Sequence, residues 1–399
     1  MRLLALFCVG VVLIAASATG RFSGIETRGS YSTVVLIGDT QRVMEGYALN
    51  GPADARYQRF AASIDWIISH AESERIEWVA SLGDMIQRGI GLPPNGTECD
   101  AENGAPWRAD TATCQPMNQA TCQATAGCFW RPNSIPPCDS CEVVALAELE
   151  WEGFMAQWER LLPGHETTHG IPWLTIHGNH DNSGNQWTTD PDREPQGYNQ
   201  RFSAAVWDAL DNGYGPRAYE HVAAYDEPTF LGDGHAWRMR IGSREVLVVA
   251  ASCCFGGQIA PGQEAWAVGL MNADPSTPAI LLTHAAELVD DSLIRVAGDV
   301  APSLFMVAGG HYARQTAAVW SDSGSTPPGT REVLRLETDW SYASPTDADL
   351  TGVARDDMFK VVRFWETGEV EVFDYSVDGA SKHALPANTI PRRDFEVDP

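Results

Sequence analysis

Five apolar runs in the sequence each stop abruptly at a short polar group. Thr33-Val34-Val35-Leu36-Ile37 stops at Gly38-Asp39-Thr40-Gln41, and Trp78-Val79-Ala80-Ser81-Leu82 stops at Gly83-Asp84. Pro172-Trp173-Leu174-Thr175-Ile176 stops at His177-Gly178-Asn179-His180-Asp181. Ala279-Ile280-Leu281-Leu282 stops at Thr283-His284, and Leu304-Phe305-Met306-Val307-Ala308 stops at Gly309-Gly310-His311. Short continuous apolar runs bounded by turn residues read as strands buried on both faces. Glu245 to Ala251 is a further strand of this kind, ending near Cys253-Cys254. Between the first two runs, Phe60, Ile64, Ile67, Ile68 and Ala71 recur at helical spacing, which predicts an amphipathic helix within 54–77. Strand, helix, strand in that order is a βαβ unit, so an α/β fold with a parallel sheet centre is expected.

Other helices are predicted at 151–162, 201–210 and 264–271, and the rest of 183–235 reads as loop. Glu332 to Leu336 and Met358 to Tyr375 alternate like antiparallel strands, with Thr367-Gly368 as a hairpin turn. Residues 90–141 break the pattern: they are rich in Pro, Asn, Gly, Thr and Cys and carry no sustained period. They read as an insertion into one domain spanning 30–380, with a loose tail at 381–399.

Composition narrows the classes. The chain has 399 residues, 44% of them hydrophobic, enough for a sizeable core. Its 27 basic against 53 acidic residues leave a formal charge of −26. That balance argues against a nucleic-acid-binding surface, and an anionic substrate would need a local source of positive charge. Arg2, the apolar run Leu3 to Ala16 and the small residues Ala16-Ser17-Ala18 form an export signal over 1–18. No later segment reads as a membrane span, so a secreted or periplasmic protein is expected. Cys99, Cys114, Cys122, Cys128, Cys138 and Cys141 cluster in the insertion, and Cys253 and Cys254 are adjacent. Cys8 would leave with the signal, and the even count of eight that remains favours disulfides over a zinc cluster in an exported chain, with the pairing open.

The polar groups at the strand ends carry the chemistry. Asp39, Gln41, Asp84, Asn179, His180, His284 and His311 would converge on one sheet edge, the donor set that a pair of divalent cations requires. The series Gly38-Asp39-x-Gln41, Gly83-Asp84, Gly178-Asn179-His180-Asp181, Thr283-His284 and Gly310-His311 resembles that of the calcineurin-like metallophosphoesterases, relatives of purple acid and phosphoprotein phosphatases. The resemblance implies a two-sheet α/β sandwich flanked by helices. It also implies two divalent ions (Mn, Fe, Zn or Mg), with Asp84 bridging them. Asp39 and Gln41 would serve the first ion, and Asn179, His284 and His311 the second. His180 would act on the leaving group as the catalytic residue, and Arg88, in Gly83-Asp84-Met85-Ile86-Gln87-Arg88-Gly89, would bind substrate phosphate.

The implied activity is hydrolysis of a phosphate ester by metal-activated hydroxide, a monoester slightly favoured over a diester. Small phosphate esters and phosphoproteins are the candidate substrates. Three positions depart from the family pattern. Gln41 and Ala313 replace histidines, and Gln87 stands where relatives keep an Asp or a Tyr. Amide oxygen is a weaker ligand than imidazole and Ala is none, so a weak first site is expected. The alternative is a non-catalytic extracellular binding protein on a degenerate scaffold. His177 reads as a packed core residue, and Tyr198-Asn199-Gln200-Arg201-Phe202 as a candidate rim of the substrate pocket.

Overall fold

The computed structural model of the chain describes residues 30–86, 128–131, 140–167, 169–178, 180–181, 196–210, 213–215, 219–225, 234–251, 259, 261–284, 301, 303–311, 316–321, 332–338, 358–376 and 382–384. The segment read as an export signal, most of the cysteine-rich insertion, Arg88 and Asn179 lie outside the described residues.

The strands, in chain order, are β1 Tyr31–Ile37, β2 Ile76–Ser81, β3 Cys128–Arg131, β4 Ser140–Val143, β5 Trp173–Thr175, β6 Tyr219–Tyr225, β7 Gly234–Ile241 and β8 Arg244–Ala250. They continue with β9 Ala279–Leu282, β10 Leu304–Gly309, β11 Thr316–Ser321, β12 Glu332–Glu337, β13 Met358–Trp365, β14 Val370–Ser376 and β15 Lys382–Ala384. The helices are α1 Gln41–Asn50, α2 Ala55–His70, α3 Val144–Arg160, α4 Gln196–Arg201, α5 Ala204–Leu210 and α6 Pro261–Ala273.

Two mixed sheets build the fold, in the orders β15-β14-β13-β1-β2-β5 and β11-β12-β10-β9-β8-β7-β6. β1, β2 and β5 run parallel, as do β8, β9, β10 and β12. The C-terminal ends of the parallel strands in each sheet therefore share one edge. The two-sheet α/β sandwich with flanking helices implied by the sequence is the architecture found.

Alternation along β9 shows how the layers seal. Ile280 and Leu282 face the large core that joins the two sheets. Ala279 and Leu281 face a smaller core on the outer side, shared with Ala267, Val268 and Met271 of α6. A strand covered on both faces has no polar face, which is why these segments read as unbroken apolar runs. α2 closes the outer side of the first sheet: Trp66 packs on Phe359 and Tyr375, and Ile64 and Ile67 are fully buried. Asp54 starts that helix by accepting from the backbone N–H groups of Arg56 and Tyr57 at 2.9 and 3.3 Å.

Several expectations need correction. Residues 41–50 form a helix that the apolar spacing did not predict. The helix expected within 54–77 ends at His70, and Ile76 already opens β2. The region 183–235 holds β6, two short helices and the start of β7. β12 is antiparallel only to β11; it runs parallel to β10, a seventh strand of the parallel set. β15 pairs with β14 inside the segment expected to be a loose tail. Within the insertion, β3 and β4 form a two-stranded ribbon. The β13–β14 hairpin turns at Thr367-Gly368 as expected, with Gly368 at φ 82°.

Candidate metal centre

The chain brings together Asp39, Gln41, Asp84, His180, His284 and His311 from five strand ends spread over both sheets. His284 is fully buried and Asp84 is 1% exposed. His284 Nε2 lies 3.1 Å from Asp84 Oδ2, and His311 Nδ1 lies 3.1 Å from His284 Nε2. One ligand atom from each of the three residues falls within a 4.8 Å cluster, the one such His/Cys/Asp/Glu group among the described residues. Two donors about 2.1 Å from one cation at 90–110° stand about 3.0–3.4 Å apart, so these spacings suit a shared ion.

The protonation pattern makes the same point. His284 Nδ1 sits 2.7 Å from the carbonyl of Leu82 and donates to it. That bond fixes the tautomer in which Nε2 presents a lone pair, as an outer partner does for a ligating histidine. A carboxylate oxygen and an imidazole lone pair then face each other at 3.1 Å, and a proton or a cation between them would neutralise that contact. Gln41 adds to the set: its Nε2 donates to Asp84 Oδ2 at 3.3 Å, while Oε1 is buried with no hydrogen-bond partner. An orphaned carbonyl oxygen on a side chain that touches the Asp84 carboxylate fits a cation ligand. Asp39 joins the group through Oδ1, 3.3 Å from the His311 N–H and 3.8 Å from His284 Nδ1.

Metal-free, a proton serves as the counter-charge. Burial disfavours the charged form of His284, but Asp84 outweighs it and raises His284 to about 9. Burial also opposes ionisation of Asp84, and there His284 and His180 win, holding the carboxyl well below the usual range. His311 goes the other way: burial, then the charge on His284, push it down to about 3. Burial and the neighbouring Asp84 push Asp181 up to about 7.

Two of the three non-glycine residues with left-handed backbone among the described residues are in this cluster, Asp84 at φ 48° and His311 at φ 74°. Such conformations cost energy and collect at functional sites. The motif glycines leave room for the cluster. A Cβ on Gly178 would lie 2.1 Å from the Asp84 nitrogen, and one on Gly310 would lie 2.4 Å from Asp39 Oδ1. Each glycine thus makes space for a ligand of a different motif.

His180 is placed by its own backbone, whose N–H donates to Asp84 Oδ1 at 2.7 Å. His177 is buried edge-on against Tyr198, the core role expected of it. The proposed rim segment is corrected in part. Tyr198 and Phe202 are fully buried, Tyr198 Oη donates to the Thr175 carbonyl at 2.9 Å, and Phe202 packs among Trp151, Trp158 and Trp207. They hold α4 against the core. Sequence reasoning also gave no role to Asp181, which is fully buried and accepts from the N–H groups of Ile86 and Gly178 at 3.1 and 2.8 Å. Its place after Gly178-Asn179-His180 was the available signal.

A family model described as calcineurin-like phosphoesterase matches residues 32–288. No curated protein matches the sequence. Among solved structures, the chain is similar to a purple acid phosphatase isolated from yellow lupin (Lupinus luteus) seeds, with 12% identity and a TM-score of 0.45. That similarity covers 90% of this chain and 53% of the lupin chain, so this chain spans about half the length of that protein. It is also similar to a calcineurin-like phosphoesterase from Bacillus subtilis, with 11% identity and a TM-score of 0.33, over 90% of this chain and 96% of that one. Among the described residues, no helix is long and apolar enough to cross a membrane.

Proposed function

The chain belongs to the calcineurin-like phosphoesterase family, and on that footing we propose that it is an exported hydrolase of phosphate esters, with monoesters favoured over diesters. The observation that carries the reading is the convergence of Asp84 Oδ2, His284 Nε2 and His311 Nδ1 in a buried cluster whose tautomer is fixed from outside. His284, His311 and Asp84, with Asn179, would hold one divalent ion; Asp39, Gln41 and the same Asp84 would hold a second. Bound there, the ions would lower the pKa of water and neutralise substrate charge.

The chain's own residues do the rest. Asp84 Oδ1 accepts from the His180 N–H, which supports a His180 beside the cluster whose imidazole would protonate a leaving oxygen. Arg88 would grip phosphate oxygens with its paired N–H groups. The first site has an amide where an imidazole would bind more tightly, so after dialysis against buffer about one ion per chain is expected to remain; two would refute the weak-site reading. The leader run Leu3 to Ala16 supports export.

The experiment compares hydrolysis of an aryl phosphate monoester and the matching diester with added Mn²⁺. Turnover of the monoester that exceeds the diester and vanishes in Asp84→Asn supports the reading. No turnover of either overturns it.

A further inference from the structure

Asp84 sits in a left-handed conformation at φ 48°. A non-glycine residue stays there only when its surroundings over-determine it. Three contacts hold the segment 84–86 from outside. The Thr40 N–H donates to the Asp84 carbonyl at 3.1 Å, and Thr40 Oγ1 donates to the Met85 carbonyl at 2.8 Å. The Ile86 N–H donates to Asp181 Oδ1 at 3.1 Å.

Asp181 differs from Thr40 in what it joins. Its other oxygen, Oδ2, accepts from the Gly178 N–H at 2.8 Å. One fully buried carboxylate therefore ties the loop after β2 to the loop after β5. Those are the loops that carry Asp84 and His180, and they meet again where the His180 N–H reaches Asp84 Oδ1 at 2.7 Å. With Oδ1 so engaged, Asp84 Oδ2 is the atom turned toward His284 and Gln41. Two N–H donors on two oxygens require a carboxylate. An asparagine has one acceptor oxygen, and its NH₂ would face a donor.

We propose that Asp181 is the positioning residue of the metal centre, clamping two loops so that Asp84 presents Oδ2 to the cations and His180 stands beside it. This rests on the reading of Asp84 as a metal ligand, and it concerns how that ligand is aimed.

The test titrates Mn²⁺ calorimetrically into the full-length wild type, Asp181→Asn, Asp181→Glu and Ile64→Ala, with a thermal melt of each. Ile64 is fully buried in α2 and is the control for destabilisation alone. Asp181→Asn is expected to bind Mn²⁺ about 10–100-fold more weakly than wild type, the usual effect of losing an outer partner of a ligand. Asp181→Glu keeps both oxygens on a longer arm and should fall between the two. It carries the comparison if Asp181→Asn does not fold. Ile64→Ala should melt earlier with wild-type Mn²⁺ affinity.

The proposal is overturned if the folded Asp181 variants bind Mn²⁺ as wild type does, or weaken no more than Ile64→Ala. Loss of Mn²⁺ affinity in a protein that hydrolyses neither ester would leave this clamp standing and remove the hydrolase reading. Absence of Mn²⁺ binding by wild type would remove both.

Discussion

Two buried carboxylates in this molecule have opposite fates. Asp374 on β14 is ion-paired with its cross-strand neighbour Lys360 on β13, and both are almost fully enclosed. Lys360 in turn lies opposite Leu36 of β1, three residues before Asp39. Asp84, equally buried, faces imidazoles instead, and its charge is met only while one of them holds a proton. The first pair closes its electrostatics with a resident ammonium; the second, on the proposed reading, would take a cation that can come and go. A buried charge neutralised by its own chain is a structural element, whereas one left to an exchangeable ion can do chemistry.

The largest effect that would break this contrast is on turnover. Asp84→Asn should lower Mn²⁺-supported hydrolysis by roughly a thousandfold or more, about 4 kcal/mol in the barrier. Retained activity would mean that Asp84 is as passive as Asp374. Next comes stability. Lys360→Met strands a buried carboxylate and should cost about 3–5 kcal/mol in urea unfolding, most of it recovered in Lys360→Met/Asp374→Leu. Mn²⁺ affinity should stay at the wild-type value in that double variant; a drop would mean that the two sites are one network.

The smallest effect is on pH dependence. In the metal-free protein, His284 is raised to about 9 from 6.5, so its contribution is fully present below 6.5 and is lost as pH rises through 9. Asp84 is depressed, so its contribution is present above the ordinary carboxylate range and fades on acidification. Metal-free stability should therefore peak between those limits. A cation must displace the His284 proton, so Mn²⁺ affinity should rise by up to tenfold per pH unit and level off near pH 9. A flat profile would exclude His284 as a ligand.

How much was legible beforehand follows from the same physics. Strands ending at the site are buried on both faces and leave unbroken apolar runs, so five of the edge-forming strands and the candidate ligands after them stood out. β7 did not, because Gly234–Ile241 carries His235, Arg238 and Arg240 among its apolar residues. α1 was missed for a functional reason. Thr40, at its N-cap, makes no side-chain cap bond, because its hydroxyl is given to Met85 beside Asp84. Local helix signals fail where a site claims the capping group. β12 was misjudged because alternation along one strand does not report the direction of its neighbours. Tyr198 and Phe202 suggested a rim by the likeness of their segment to those of purple acid phosphatases, but aromatic size decided their place, and they went inside.

The candidate ligands follow strands of both sheets: Asp39 and Asp84 follow β1 and β2, while His284 and His311 follow β9 and β10. An ion held among them would act as a rivet through the two leaves of the sandwich. Occupancy at a thousand times the dissociation constant would add about 4 kcal/mol against unfolding. Chelation of such an ion should therefore loosen the whole body, and proteases should report the difference.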